Sequence, residues 1–140
     1  VPSSKTFYKR RFPSTYEEMS HVLGSAVDAL AEHEWIGPGE VFYARLCLEE
    51  ALVNAIRHGN HGEREREVSL EMAEEGDTCR IFIRDEGEGF CCEEIKVPDC
   101  TQRGGRGLCI IQYFMDQVRF DRAHKCFEMA FRRKSLNKGG

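Results

Sequence analysis

The sequence predicts an α+β fold, a two-layer α/β sandwich whose mixed, mostly antiparallel sheet is covered on one face by three helices. Three observations predict it. Segments of alternating polarity at 5–12, 67–74 and 78–85 read as strands, and two more close the chain near 117–122 and 126–133. Apolar residues at helical spacing mark helices from Ser14 or Thr15 onward, over about 39–58, and over about 106–116. The order of these elements lacks the regular strand–helix alternation of a doubly wound parallel sheet. At 140 residues the chain is expected to form one domain, 1–140, with a frayed tail over 134–140.

Each element has a local cause. The first strand stops at Pro13, which cannot donate to a ladder and so belongs at a sheet edge. Ser14 or Thr15 can cap the first helix, and Glu17 and Glu18 suit the positive end of its dipole. Met19, Val22, Leu23, Ala26, Val27 and Leu30 mark its buried face, and "IGPGE" at 36–40 ends the segment. Gly59 is expected to be the residue that closes the second helix, followed by a loop to 66. "EEGD" turns the hairpin between the next two strands. The glycine-rich stretch from 86 to about 106 is too long for an idle connection in so small a domain.

Composition narrows the function. A net charge of −4 argues against a general nucleic-acid binder, so no direct nucleic-acid partner is expected. No apolar run approaches the roughly 18 to 20 residues of a membrane span. The start, "VPSSKTFYKRRF", is basic but lacks an apolar core, so it does not read as a secretory signal. A cytoplasmic location without membrane contact is expected. Seven cysteines form an odd set without a Cys-x-x-Cys pair, which disfavours zinc and a disulfide scaffold. Reduced, mostly buried thiols are expected.

Three motifs carry chemistry. In "LEEALVNAIRHGN" (48–60), Glu50, Asn54 and His58 recur every four residues beside the apolar face of Leu48, Leu52, Val53 and Ile56. A carboxamide oxygen suits magnesium, and a carboxylate one turn away can orient or deprotonate a hydroxyl. A plain helix-surface hydrogen bond between Glu50 and Asn54 is the simpler alternative. Glu49 lies about 100° around the helix from Glu50 and is expected to be a solvated charge. "RDEGEGF" (84–90) puts Asp85 at a strand end before Gly87 and Gly89. That can be ordinary turn chemistry, or a carboxylate accepting from an exocyclic amine while glycines let the backbone close around a planar ring. "RGGRGL" (103–108) frees backbone N–H groups at a helix start, with Arg103 and Arg106 as further anion partners. It matches neither the Walker A loop nor the dinucleotide fingerprint.

Taken together and in this order, "EALVNAIRHG", "DEGEGF" and "GRGL" resemble the N, G1 and G2 boxes of the GHKL ATPase superfamily, which has the Bergerat fold. Within it, the short chain, the short lid and "YFMDQVRF" resemble anti-sigma factor serine kinases of the RsbW type. The resemblance runs from about residue 5 to 134. It implies ATP and magnesium as cofactors, Glu50 as general base and Asn54 as magnesium ligand. Asp85 would bind the adenine amine in a pocket shaped by Gly87, Gly89 and Phe90. The phosphates would lie on Arg103, Gly104, Gly105, Arg106, Gly107 and Leu108. His58 and Gly59 would shape the pocket, and 91–104 would form a lid. A homodimer is implied that holds a sigma factor and phosphorylates a serine of a STAS-type anti-anti-sigma protein. Two departures stand out: Cys91 and Cys92 open the lid where relatives often have Asp-Pro, and Cys126 and Phe127 replace a small Gly-Thr pair near the adenine. The alternative function is a non-catalytic, nucleotide-regulated protein-binding module of the same fold. An ATPase motor, which would need transducer domains in addition, is not expected.

Overall fold

The computed structural model describes residues 4–86, 106–121 and 125–134. Strand β1 (Lys5–Pro13) leads into helix α1 (Tyr16–Glu32), then a short 3-10 turn (Pro38–Glu40) and helix α2 (Val41–Asn54). A π-helical turn, Ala55–Gly59, extends α2. Strands β2 (Glu67–Glu75) and β3 (Thr78–Asp85) follow, then helix α3 (Arg106–Phe114), β4 (Gln117–Asp121) and β5 (Cys126–Arg132). The five strands form one sheet in the order β1-β2-β3-β5-β4, and every pairing is antiparallel. The fold class is the one predicted, with β1 at the sheet edge as Pro13 implied.

Alternation decides which face is covered. Val68, Leu70 and Met72 of β2, Cys79, Ile81 and Ile83 of β3, and Phe127, Met129 and Phe131 of β5 share one buried face. They join Leu23, Ala26 and Leu30 of α1 and Ala44, Leu48, Ala51 and Leu52 of α2 in a single core. Burying such side chains is worth about 1.5–3 kcal/mol each, which is what holds the helices on the sheet. The other face is charged. There Glu128 is nearly buried between Arg80 and Arg119, at 2.9 Å from each guanidinium. Thr15 caps α1, its hydroxyl accepting from the Glu18 N–H at 3.2 Å. Gly76 turns the β2–β3 hairpin with φ of +60°, the left-handed conformation that a two-residue turn requires.

Three expectations need correction. The second helix is not α-helical from 39 to 58: α geometry holds from Val41 to Asn54, and the following turn is wider. The Asn60 N–H donates to Ala55 O at 2.9 Å, five residues back, so the four-residue repeat does not continue past Asn54. Gly59 is not a left-handed helix-closing residue either. It is the last residue of the π turn, outside the positive-φ glycines, and Asn60 caps the segment with φ of −95°. Of the cysteines, Cys47, Cys79 and Cys126 are buried free thiols as expected. Cys109 on α3 is disulfide-bonded instead. Sequence spacing does not reveal which sulfurs the fold brings together, which is why that bond escaped the cysteine count.

Candidate nucleotide site

The carboxyl end of β3 meets the end of the π turn. β3 pairs with both β2 and β5, and its last residue, Asp85, lies opposite Val68, beside the core residue Ile83. Asp85 is 8% exposed, an unusual depth for a carboxylate. Its side chain packs directly on Gly59. A Cβ built on Gly59 would clash with Oδ2 and Cγ of Asp85 and lie 3.0 Å from its Cβ. The absence of a side chain at 59 is therefore what leaves room for this acid.

One turn back along the same helix, Asn54 Nδ2 donates to Glu50 Oε2 at 3.3 Å. Asn54 is 8% exposed, buried far more deeply than a helix-surface amide. With its Nδ2 turned toward Glu50, the amide oxygen is the end suited to a hard cation. Among the described residues no three His, Cys, Asp or Glu side chains converge on a metal. The donor here, the buried Asn54 carboxamide, fits a magnesium ion that keeps waters and phosphate oxygens as its other ligands.

Helix α3 packs against α2. Cys47, Glu50 and Asn54 stand at i, i+3 and i+7, on one side of α2, and Cys47 Sγ sits 3.6 Å from Ile110 O of α3. Burial pushes the Cys47 thiol up to about 12, against a smaller opposing pull from Lys134, so it is a packing group. The backbone of Arg106, Gly107 and Leu108 forms the first turn of α3, where helix N–H groups are unsatisfied by the helix itself. His58 belongs to the π turn. Gly87, Gly89, Phe90, Arg103, Gly104, Gly105 and the expected lid over 91–104 lie outside the described residues. Phe127 stands in the core, paired with Ile83 across β3 and β5, two residues before Asp85. Cys126 is buried at the start of the same strand.

Sequence reasoning missed Asn60, which it left in a loop. Asn60 is fully buried, and its Oδ1 accepts from the Glu86 N–H at 2.8 Å. Its Nδ2 donates to Ser14 Oγ at 2.8 Å and to Glu67 O at 3.1 Å. An asparagine after a glycine reads as turn chemistry, so no sequence signal distinguished it.

The fold and this site define a class. The model for the histidine kinase-like ATPase domain matches residues 12–131, and the chain belongs to that family. Among curated proteins, it is similar to the anti-sigma F factor of Oceanobacillus iheyensis, 33% identical over 105 residues, or 71% of this chain and 72% of that relative. It is 35% identical over 85 residues to the anti-sigma F factor of Bacillus thuringiensis, covering 56% of this chain and 58% of the relative. The anti-sigma F factor of Bacillus mycoides matches to the same extent. Among the described residues no helix is long and apolar enough to cross a membrane.

Proposed function

We propose that this protein binds magnesium-ATP between α2, the end of β3 and the start of α3. We further propose that it acts as an anti-sigma factor that phosphorylates a serine on a STAS-type antagonist. The observation that carries the proposal is the buried Asp85 carboxylate seated on Gly59, with Asn54 about one turn and Glu50 about two turns back along the same helix. A strand-end acid shielded from water is a strong acceptor for an exocyclic amine, because few competing waters reach it. The anti-sigma F factor relatives support the regulatory half of the proposal.

Each residue then has a task. Asp85 accepts from the purine amine and orients the base. Asn54 supplies an amide oxygen to the cation. Glu50 aligns the attacking serine hydroxyl and takes its proton at a carboxylate oxygen. The first backbone N–H groups of α3 receive phosphate oxygens. When bound, magnesium-ATP supplies the transferable phosphoryl group and the charge that neutralises it. Two copies of the chain would hold one sigma factor, and phosphorylating the antagonist would decide which partner is retained.

The test combines calorimetry with a transfer assay. The protein and a copurified STAS partner are incubated with magnesium and γ-labelled ATP, and phosphoserine is mapped. Glu50→Ala is expected to keep ATP binding and lose transfer, whereas Asp85→Asn loses binding. Full transfer by Glu50→Ala removes Glu50 from its role. Binding without transfer by the unaltered protein favours the regulated binding module. No affinity for ATP or ADP in saturating magnesium overturns the proposal.

A further inference from the structure

Asp85 is constrained from two sides by two adjacent residues. Gly59 faces its carboxylate, and Asn60 holds the peptide that follows it, through the 2.8 Å bond from the Glu86 N–H to Asn60 Oδ1. That bond fixes the plane of the Asp85–Glu86 peptide, and with it the direction in which the Asp85 side chain leaves the backbone. Asn60 is itself held rigidly. Its two amide protons are spent on Ser14 Oγ and Glu67 O, and Ser14 Oγ in turn donates to Arg66 O at 2.6 Å. One fully buried carboxamide thus ties together the π turn, the β1–α1 junction, the start of β2 and the end of β3.

Only asparagine meets these demands. Aspartate cannot donate to Ser14 or Glu67, and an aliphatic residue of the same size takes away the partner that the Glu86 N–H, the Glu67 carbonyl and the Ser14 hydroxyl find in Asn60. The rest of the Glu86 attachment is weaker. Its carboxylate accepts from the Glu67 N–H at 2.7 Å and meets Arg11 at 3.1 Å, but those groups are largely exposed and water competes for them. The bond to the fully buried Asn60 is the one that sets the peptide.

We infer that Asn60 is a positioning residue for Asp85, and that it determines how strongly the site prefers a 6-amino purine over a 6-oxo purine. The inference rests on the proposed reading of Asp85 as the acceptor for the adenine amine. Asn60 touches no nucleotide. It acts by keeping a carboxylate aimed where the amine donates, so its loss erodes discrimination rather than only affinity.

The experiment measures ATP and inosine triphosphate binding by calorimetry, in magnesium, for four proteins: unaltered, Asn60→Ala, Asp85→Asn and Arg133→Ala. Inosine triphosphate carries an oxygen where ATP has the amine. The unaltered protein is expected to prefer ATP by at least about tenfold, the worth of one hydrogen bond to a charged acceptor. Asn60→Ala is expected to bring the two nucleotides within about twofold of each other, while Asp85→Asn, which loses binding, marks the limit of complete loss. Arg133→Ala loses contacts with Trp35 and the His33 and Glu34 carbonyls beside Asp77, at the end of β3 opposite Asp85, so it lowers stability and keeps the preference. Hydrogen exchange on the nucleotide-free protein gives a second readout: the Glu86 amide is expected to exchange faster in Asn60→Ala and at an unchanged rate in Arg133→Ala. Should Asn60→Ala fail to fold, Asn60→Ser, whose hydroxyl stops one bond short, carries the same comparison. If the unaltered protein prefers ATP and the Asn60 variant does so equally, the positioning role is wrong while the reading of Asp85 stands. If the unaltered protein does not distinguish the two nucleotides, the reading of Asp85 fails and the inference with it.

Discussion

Replacing Gly59 by alanine sets two effects of opposite sign against each other. Gly59 lies in a helical turn and outside the left-handed region, so helix propensity alone predicts that alanine stabilises by up to about 1 kcal/mol. The contact with Asp85 predicts the reverse. The new methyl would fall on Oδ2 and Cγ of Asp85 and lie 3.0 Å from its Cβ, so either the acid or the π turn must move. Asp85 ends a strand paired on both sides of β3 and is buried, so it has no open space to swing into. Overpacking of this kind costs about 1–3 kcal/mol, or about 3–10 °C in melting temperature at this chain length. The contact wins, and Gly59→Ala is expected to melt lower. Calorimetric melts of Gly59→Ala, Asp85→Ala and the double variant isolate the cause. Asp85→Ala removes two of the three offending atoms, so Gly59→Ala should cost far less in that background, with a coupling of about 1–2 kcal/mol. A Gly59→Ala protein as stable as the parent, or an equal loss in both backgrounds, refutes the reasoning.

Glu128→Ala leaves Arg80 and Arg119 facing each other across a gap and is expected to cost about 1–3 kcal/mol in urea melts, with ATP affinity unchanged. An unchanged midpoint would mean that the two guanidinium groups hold nothing. Native-state alkylation at pH 8 is expected to leave Cys47, Cys79 and Cys126 unlabelled, because burial raises all three thiols, Cys47 from 9.0 to about 12. The sign follows: stability from the buried, protonated Cys47 is complete below pH 9 and declines as pH rises toward 12, which melts across that range test. Arg133 stacks 3.8 Å above the ring of Trp35 and donates to His33 O at 3.1 Å and Glu34 O at 2.9 Å. Arg133→Ala should therefore shift the fluorescence of the single tryptophan and cost about 1–2 kcal/mol.

Patterns with a period were legible in the sequence, and contacts between distant segments were not. Alternation at 67–74 and 78–85 foretold β2 and β3 because each strand buries one face, and "EEGD" foretold the hairpin because its glycine takes positive φ. Glu50 and Asn54 were legible as neighbours for the same reason: a four-residue step on a helix is a local geometry, and the hydrogen bond between them follows. The π turn was hidden because its residues, Ala-Ile-Arg-His-Gly, would serve an α-helix as well. Gly59 drew attention for the wrong reason, since a glycine near a helix end suggests a left-handed residue, whereas here it clears space for an acid 26 residues later, the interval from 59 to 85. Asn60 was invisible because its partners, Ser14, Glu67 and Glu86, come from three other segments.

The wide turn at Ala55–Gly59 makes local chain length a chemical parameter. Its extra residue sets the distance, along and around the helix, between the amide at one end and the acid-bearing strand at the other. Shortening this stretch by one residue would tighten the bend and bring a side chain, instead of a bare Cα, against the carboxylate. Residues added after Gly62 would only enlarge a surface loop, which chains tolerate cheaply. A deletion and insertion scan across 55–66, read by melting temperature, should therefore show a sharp border near Asn60, rigid in length before it and forgiving after it.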